Sequence, residues 1–295
     1  MDYTIISNYL DYCYRYKRLS PHSIRAYKND LTQFYHLCGF DVETYINHLN
    51  HSTLKPKTLK RKIATLKVFF AYLETKKLIN TNPFRHLTFK FRTEKLLPKV
   101  ISLPYLKNIY EYLYTNKILA KTPYQKEKTH RNLLIIELLL STGIRVSELC
   151  NLSISNINLQ SRSLNIMGKG KKERMIYIGN DITYSLLKEY IQTYKQNSHH
   201  FLFQNDNQKN HISEQAVRLM IKTTCEKIKI YTPITPHMFR HTFATMLLDN
   251  NVDIRYIQHI LGHSSIAITQ IYTHVSQHKQ QDILTLHNPI NTLHH

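Results

Sequence analysis

Apolar residues along this chain recur at helical spacing almost throughout and change to strand spacing at one place. The clearest early stripe is Ile24, Tyr27, Leu31, Phe34 and Cys38, whose intervals of three and four residues put them on one helix face. Ser20 stands as N-cap before Pro21 in the first helical position, and Gly39 stops the segment. A second stripe opens near Lys55-Pro56 and runs through Leu59, Ile63, Leu66, Phe70 and Leu73, with Lys57, Lys60, Arg61 and Lys67 on its polar side. The first ninety residues therefore predict four amphipathic helices. Asn82-Pro83 ends the last of them, and the basic stretch from Lys90 to Lys99, which contains Pro98, reads as an interdomain linker.

Helical spacing resumes at Ser102, with Pro104 in the first turn and Leu106, Ile109, Tyr110 and Leu113 on one face. Lys121 to Arg131 is polar and basic, open to reading as a DNA-contacting loop or as surface decoration. From Leu133 to Leu140 the chain is apolar enough for a buried helix, ended by Gly143. Ser163 to Met167 and Arg174 to Ile178 alternate as strands do, around Gly168-Lys-Gly-Lys-Lys172, and predict a hairpin. Helices follow at Asp181 to Lys195, Ser213 to Ile228, Pro236 to Leu248, Asp253 to Leu261 and Ser265 to His274. The fold class is mainly α with a small antiparallel β-sheet, in two domains: 1–92, a linker at 93–101, and 102–295 including a C-terminal tail.

A chain of 295 residues is long enough to bury a core in each domain. Forty Lys and Arg against twenty Asp and Glu give a formal charge of +20, which points to a polyanionic partner because neutralised phosphates release counterions. The apolar run from Leu133 to Leu140 is short and interrupted by Glu137, so a membrane span is not expected. The N-terminus has no basic leader region, so export is not indicated. Cys13, Cys38, Cys150 and Cys225 lie far apart without a Cys-x-x-Cys pair, which argues against a zinc site or a disulfide framework and fits a reducing cytoplasm.

The chemistry-bearing residues cluster in three stretches: Ser141-Thr-Gly-Ile-Arg-Val-Ser-Glu148, Thr235-Pro-His-Met-Phe-Arg-His241, and Leu261-Gly-His263 continuing to Tyr272. They offer Arg145 and Arg240 as an anion clamp, His237 and His263 as proton carriers, and Tyr272 as a phenol nucleophile. Displacement at a phosphodiester needs charge stabilisation on the non-bridging oxygens, and guanidinium forks suit that geometry. His237 and Arg240 share a helix face behind the Thr235 cap and Pro236. Histidines 237/241 and 259/263 also have the spacing of a metal pair, but no Glu or Asp stands beside them to complete a ligand set.

In this register the set closely resembles the tyrosine recombinase (phage integrase) family, whose signature is an Arg, a Lys, a His-x-x-Arg, a Gly-His and a Tyr nine residues beyond that His. Arg145, Lys169, His237 with Arg240, His263 and Tyr272 fill those places. The resemblance covers nearly the whole chain and is of the Xer-like kind, without an additional N-terminal arm-binding domain. It implies a helical core-binding domain and a mixed catalytic domain that together form a C-shaped clamp on double-stranded DNA. It also implies a homo- or hetero-tetramer on two duplexes and site-specific cleavage and rejoining through a 3′-phosphotyrosyl link, with no cofactor or metal.

The roles it implies are attack by Tyr272 and a proton acceptor in His237. Charge stabilisation falls to Arg145, Arg240 and His263, and protonation of the leaving 5′ oxygen to Lys169, which is preferred over Lys171 and Lys172 because it fills the Gly-Lys-Gly position. Glu148 would brace Arg145, while an Asp that the family usually has a few residues later is Asn156 here. Lys57, Lys60, Arg61, Lys67, Lys171, Lys172 and Arg174 are the expected DNA-contacting cations. Two rivals are a topoisomerase using similar residues and a DNA-binding module without catalysis. The tail, with Ile283, Leu284 and Leu286, is expected to dock in a groove of a neighbouring subunit, the alternative being a helix folded back on its own domain.

Overall fold

The computed structural model describes residues 2–89, 91, 99–168, 173–195, 201–205, 210–262 and 277–293. The chain separates into two compact units, Met1–Leu96 and Leu97–His295. Most of the expected linker, together with Lys169, Lys171, Lys172, His263, Tyr272 and the helix expected at 265–274, lies outside the described residues.

Among the described residues the first unit has four helices, α1 Thr4–Arg15, α2 Pro21–Cys38, α3 Val42–Asn50 and α4 Pro56–Thr75. Ser20 caps α2 by accepting from the Ser23 amide at 3.2 Å, and Gly39 ends it in the left-handed region at φ 54°. Leu31, Phe34, Tyr45, Leu66, Phe69 and Leu73 form the core. Its rings meet mostly edge to face, as Phe34 and Tyr45 do at 5.0 Å between centroids. A polar cluster absent from the sequence reading sits beside this core. Asp30, only 2% exposed, takes bonds from Arg61, from Lys62 at 3.3 Å and from Thr65 at 3.1 Å, tying α2 to α4.

The second unit is built around α6, Pro123–Thr142, whose residues from Leu133 to Thr142 are all buried. The basic segment 121–131 is not a loop, because α6 begins inside it. Thr122 accepts from the Gln125 amide at 3.2 Å, the Gln125 side chain answers the Thr122 amide at 3.3 Å, and Pro123 takes the first position. This capping box was readable as Thr-x-x-Gln. Around α6 lie α5 Leu103–Leu119, α7 Val146–Cys150, α8 Asp181–Tyr194, α9 Glu214–Lys227, α10 Pro236–Asp249 and α11 Ile254–Leu261.

The antiparallel sheet has the order β1 Ile157–Asn158, β2 Ser163–Met167 and β3 Glu173–Tyr177, so a short third strand joins the expected hairpin. Leu164 pairs with Ile176 and Ile166 with Arg174, and this face turns inward while Met167 and Met175 are exposed.

The tail forms α12 Gln277–Leu286 and a 3-10 turn at Pro289–Leu293. Ile283, Leu284 and Ile290 are buried in the core of their own unit, and the Asn288 side chain donates to the Ser141 carbonyl at 2.8 Å. In this single chain the tail packs on its own unit, the 3-10 turn against α6 and α12 against β3, as in the alternative weighed beside docking on a neighbouring subunit. Among the described residues no helix is long and apolar enough to cross a membrane.

Candidate active site

Arg145 and Arg240 come from elements far apart in the chain and converge on two glycine turns, both left-handed at φ 61°, one after α6 at Gly143 and one after α11 at Gly262. Arg145 sits at the cap of α7, where its amide donates to Glu148 Oε2 at 3.0 Å and its Nη1 to Glu148 Oε1 at 2.8 Å. Its Nη2 reaches across to the Gly262 carbonyl at 3.0 Å. Arg240 is on α10 and only 5% exposed. Its Nη1 donates to the Gly143 carbonyl and its Nη2 to the Leu261 carbonyl, each at 2.6 Å. The two guanidiniums thereby pin the end of α6, the start of α7 and the end of α11 to α10. A guanidinium has five N–H donors, and these bonds occupy two on each arginine.

Gly143 has a specific reason to be glycine. A Cβ there would lie 2.5 Å from Phe243 Cδ1 and 2.7 Å from Leu261 Cδ2, so α10 and α11 approach the turn as closely as backbone allows.

Glu148 is the centre of the charge arrangement. Burial pushes its carboxyl up, but the hydrogen bonds and charge of Arg174, followed by the bonds from Arg145, outweigh this and hold it at about 2. Arg240 is pushed down to about 9 by burial first and by Arg145 next, against the attraction of Glu148 and with further repulsion from Arg174. Among the described residues the site therefore sets three guanidiniums against one carboxylate, an excess of positive charge in a partly desolvated place. Such an environment favours an anion.

His237 stands one turn before Arg240 and is exposed. Desolvation on its protein side lowers its pKa below the usual imidazole value, and His241, Arg218 and Arg240 lower it further, against a smaller opposing pull from Glu214. It is neutral at pH 7 and able to accept a proton. Thr235 occupies the α10 cap position in extended conformation but makes no side-chain capping bond, so Pro236 rather than a threonine cap marks this helix start.

Arg174, expected among the DNA-contacting cations, is placed otherwise. Its side chain is 12% exposed, with Nη1 donating to Glu148 Oε1 at 2.9 Å, Nη2 to Glu148 Oε2 at 2.8 Å and Nε to the Ile260 carbonyl at 3.2 Å. Strand alternation held the signal, because Arg174 shares the inward side of β3 with Ile176. Lys57, Lys60 and Arg61 are exposed on α4, although the Arg61 guanidinium is tied to Asp30. Lys67 donates to the Leu87 carbonyl at 3.3 Å and lies 5.1 Å from the Phe89 ring centroid. Asn156 accepts from Ser153 in a 3-10 turn, leaving the described bracing of Arg145 to Glu148. His241 and His259 are exposed, and no group of three His, Cys, Asp or Glu placed to hold a metal occurs among the described residues.

Comparison with known proteins places this geometry among relatives. Residues 113–279 match the phage integrase family and residues 6–77 match the phage integrase, N-terminal SAM-like domain. A tyrosine recombinase of Agathobacter rectalis is 47% identical, with 99% of this chain and 98% of that protein aligned. The tyrosine recombinase XerC of Thermodesulfovibrio yellowstonii is 34% identical over 92% of this chain and 91% of its own. Among solved structures, XerH site-specific recombinase bound to palindromic difH substrate, a post-cleavage complex, has a TM-score of 0.65 at 20% identity, covering 95% of this chain and 84% of that one. A lambda integrase dimer bound to a COC′ core site has a TM-score of 0.67 at 14% identity, covering 91% and 76%. At those identities the two structures share the fold.

Proposed function

We propose, for a chain that belongs to the phage integrase family of tyrosine recombinases, that it cuts and rejoins double-stranded DNA at a specific site through a covalent tyrosyl intermediate. The observation that carries the reading is the convergence of Arg145 and Arg240 on the Gly143 and Gly262 turns. It makes a positive, partly dry seat for a phosphodiester, with neutral His237 one helical turn away.

In the proposed reaction the Tyr272 oxygen attacks phosphorus, and its proton passes to His237. The bond to the 5′ oxygen breaks, and that oxygen leaves as a hydroxyl protonated by Lys169. The products are a 3′-phosphotyrosyl link and a free 5′ hydroxyl. Attack by the 5′ hydroxyl of another strand reverses the sequence, so the bond energy is retained and no nucleotide is consumed. Arg145, Arg240 and His263 hold the negative charge that grows on the non-bridging oxygens. Lys57 and Lys60, with Lys171 and Lys172, supply phosphate contacts. Four protomers on two duplexes make the assembly, serving chromosome dimer resolution or integration and excision of a mobile element.

The test is a nicked suicide substrate carrying a site selected from random duplexes by binding to the protein. Wild type forms an adduct that survives denaturation, in EDTA as well as in magnesium, whereas Tyr272→Phe binds the duplex and forms none. Adduct of undiminished yield from Tyr272→Phe rejects Tyr272 as nucleophile. Relaxation of supercoiled DNA without strand exchange between paired sites favours a topoisomerase.

A further inference from the structure

We propose that Arg174 is a positioning residue that locks the β2–β3 hairpin, the Arg145 side of the phosphate clamp and the exit of α11 into one unit. The proposal rests on the recombinase reading and adds a residue to its machinery.

The geometry has three parts. The Arg174 fork spans both oxygens of Glu148 at 2.9 and 2.8 Å, and the same two oxygens take the Nη1 and the amide of Arg145 at 2.8 and 3.0 Å. Every bond that Glu148 gives Arg145 is therefore made by a carboxylate whose orientation Arg174 sets. The Arg174 Nε then reaches the Ile260 carbonyl at 3.2 Å, in the last turn of α11. Its stem also fills the space over Gly262, where an added Cβ would lie 2.9 Å from Arg174 Cδ and 3.1 Å from Nε. The Gly262 carbonyl is in turn bonded to Arg145 Nη2 at 3.0 Å, which closes a ring of contacts through Arg174, Glu148, Arg145 and the α11 exit.

The elements joined this way are those the reaction must align. Arg174 stands on β3, paired with Ile166 on β2, and the hairpin between those strands carries Lys169. Gly262 directly precedes His263. A planar fork is required at this position, because a single ammonium cannot bridge two carboxylate oxygens and reach a carbonyl in the same plane. Arg174 is 12% exposed and turned inward, so its charge serves the protein interior and not the DNA backbone.

The experiment measures single-turnover adduct formation at saturating duplex, together with duplex affinity and its salt dependence, for wild type, Arg174→Lys and Arg174→Ala. Adduct formation should fall roughly tenfold in Arg174→Lys and about a hundredfold in Arg174→Ala, while affinity and salt slope stay within about threefold and half a unit of wild type. Guanidinium ion below denaturing concentration should restore part of the Arg174→Ala rate, and ammonium at equal ionic strength should not. A loss of stability alone would not discriminate between the two ions.

Unimpaired cleavage by Arg174→Lys overturns the assignment. So does a loss of affinity with a salt slope lower by about one at normal cleavage rate, which would make Arg174 a phosphate contact. If Arg174→Ala does not fold, Arg174→Lys decides alone. Failure of wild type to form any adduct overturns the recombinase reading and the assignment with it, whereas wild-type cleavage with a fully active Arg174→Lys overturns only the assignment.

Discussion

The Arg240 guanidinium donates to the carbonyl of Gly143 at 2.6 Å, joining residues ninety-seven positions apart at the turn from which the chain runs on to Arg145. Gly143 is left-handed and has no room for a Cβ beside Phe243 and Leu261. Gly143→Ala should therefore cost about 2–5 kcal/mol, from the left-handed backbone and the overpacking together. Thermal unfolding checks this. Gly39→Ala is the control, since it shares the positive φ but has nothing within 4 Å of the added carbon; it should cost only about 1 kcal/mol.

A pH dependence follows from two histidines. His237 and His130 both have lowered pKa values. Burial is the main cause for each, and for His130, whose Nε2 donates to the Leu186 carbonyl at 3.0 Å, Glu189 opposes it while Lys117 adds to it. Over the window from the usual value of about 6.5 down to the lowered values, the unfolded chain binds more protons than the folded one, so stability falls as pH falls. Urea unfolding at pH 7.5 and pH 5.5 should show this loss, with a smaller loss in His130→Gln. Equal losses in wild type and variant would remove His130 from the account.

For catalysis the same shift keeps His237 neutral at pH 7. The adduct-forming rate should fall on the acid side as His237 becomes charged, and His237→Gln should be slow with that limb flattened. A rate profile of unchanged shape in His237→Gln would exclude it as the proton acceptor.

In the first unit, Lys62 and Asp30 are both buried, and Asp30 keeps Arg61 and Thr65 as partners when Lys62 is removed. Lys62→Met should destabilise by about 1.5–3 kcal/mol, and Asp30→Asn combined with Lys62→Met should cost less than the sum of the two single changes. Chemical denaturation of the four proteins measures the coupling. Additive losses would mean that the pair is not an energetic unit.

The tail packs on its own unit, so deleting residues after Val275 should lower stability by on the order of 5 kcal/mol through lost burial of Ile283, Leu284 and Ile290. Without DNA, melting of the full chain should not depend on protein concentration. A midpoint that rises with concentration would assign the tail to a neighbouring copy.

Much of the helical content was legible because its signals are local. Ser20 before Pro21, the stripe from Ile24 to Cys38 and the stop at Gly39 are all read within one segment, and the structure has α2 at Pro21–Cys38. The start of α6 was equally local, in Thr122 and Gln125, but the basic composition of 121–131 masked it. In the candidate site, residue types and spacing singled out Arg145, His237 and Arg240, and the family resemblance added Glu148; the structure bonds Arg145 to Glu148 and brings Arg145 and Arg240 to the Gly143 and Gly262 turns, with His237 one helical turn before Arg240, while Lys169, His263 and Tyr272 lie outside the described residues.

The amino-acid order by itself determined where helices and strands run and which polar types stand at reactive spacing, since both depend on intervals of a few residues. Partnership between distant residues was decided only in three dimensions. Arg174 looked like one more surface cation, yet strand register turned it inward onto Glu148. The tail's apolar residues were compatible with a neighbour or with their own domain, and in the structure Ile283 and Leu284 are buried in their own unit while Leu286 is exposed. Asp30 gave no sign of being buried until α4 brought Arg61, Lys62 and Thr65 against it. Periodicity says which face of an element is hidden, but the charge or carbonyl that meets a given side chain comes from another element, and packing alone sets that meeting.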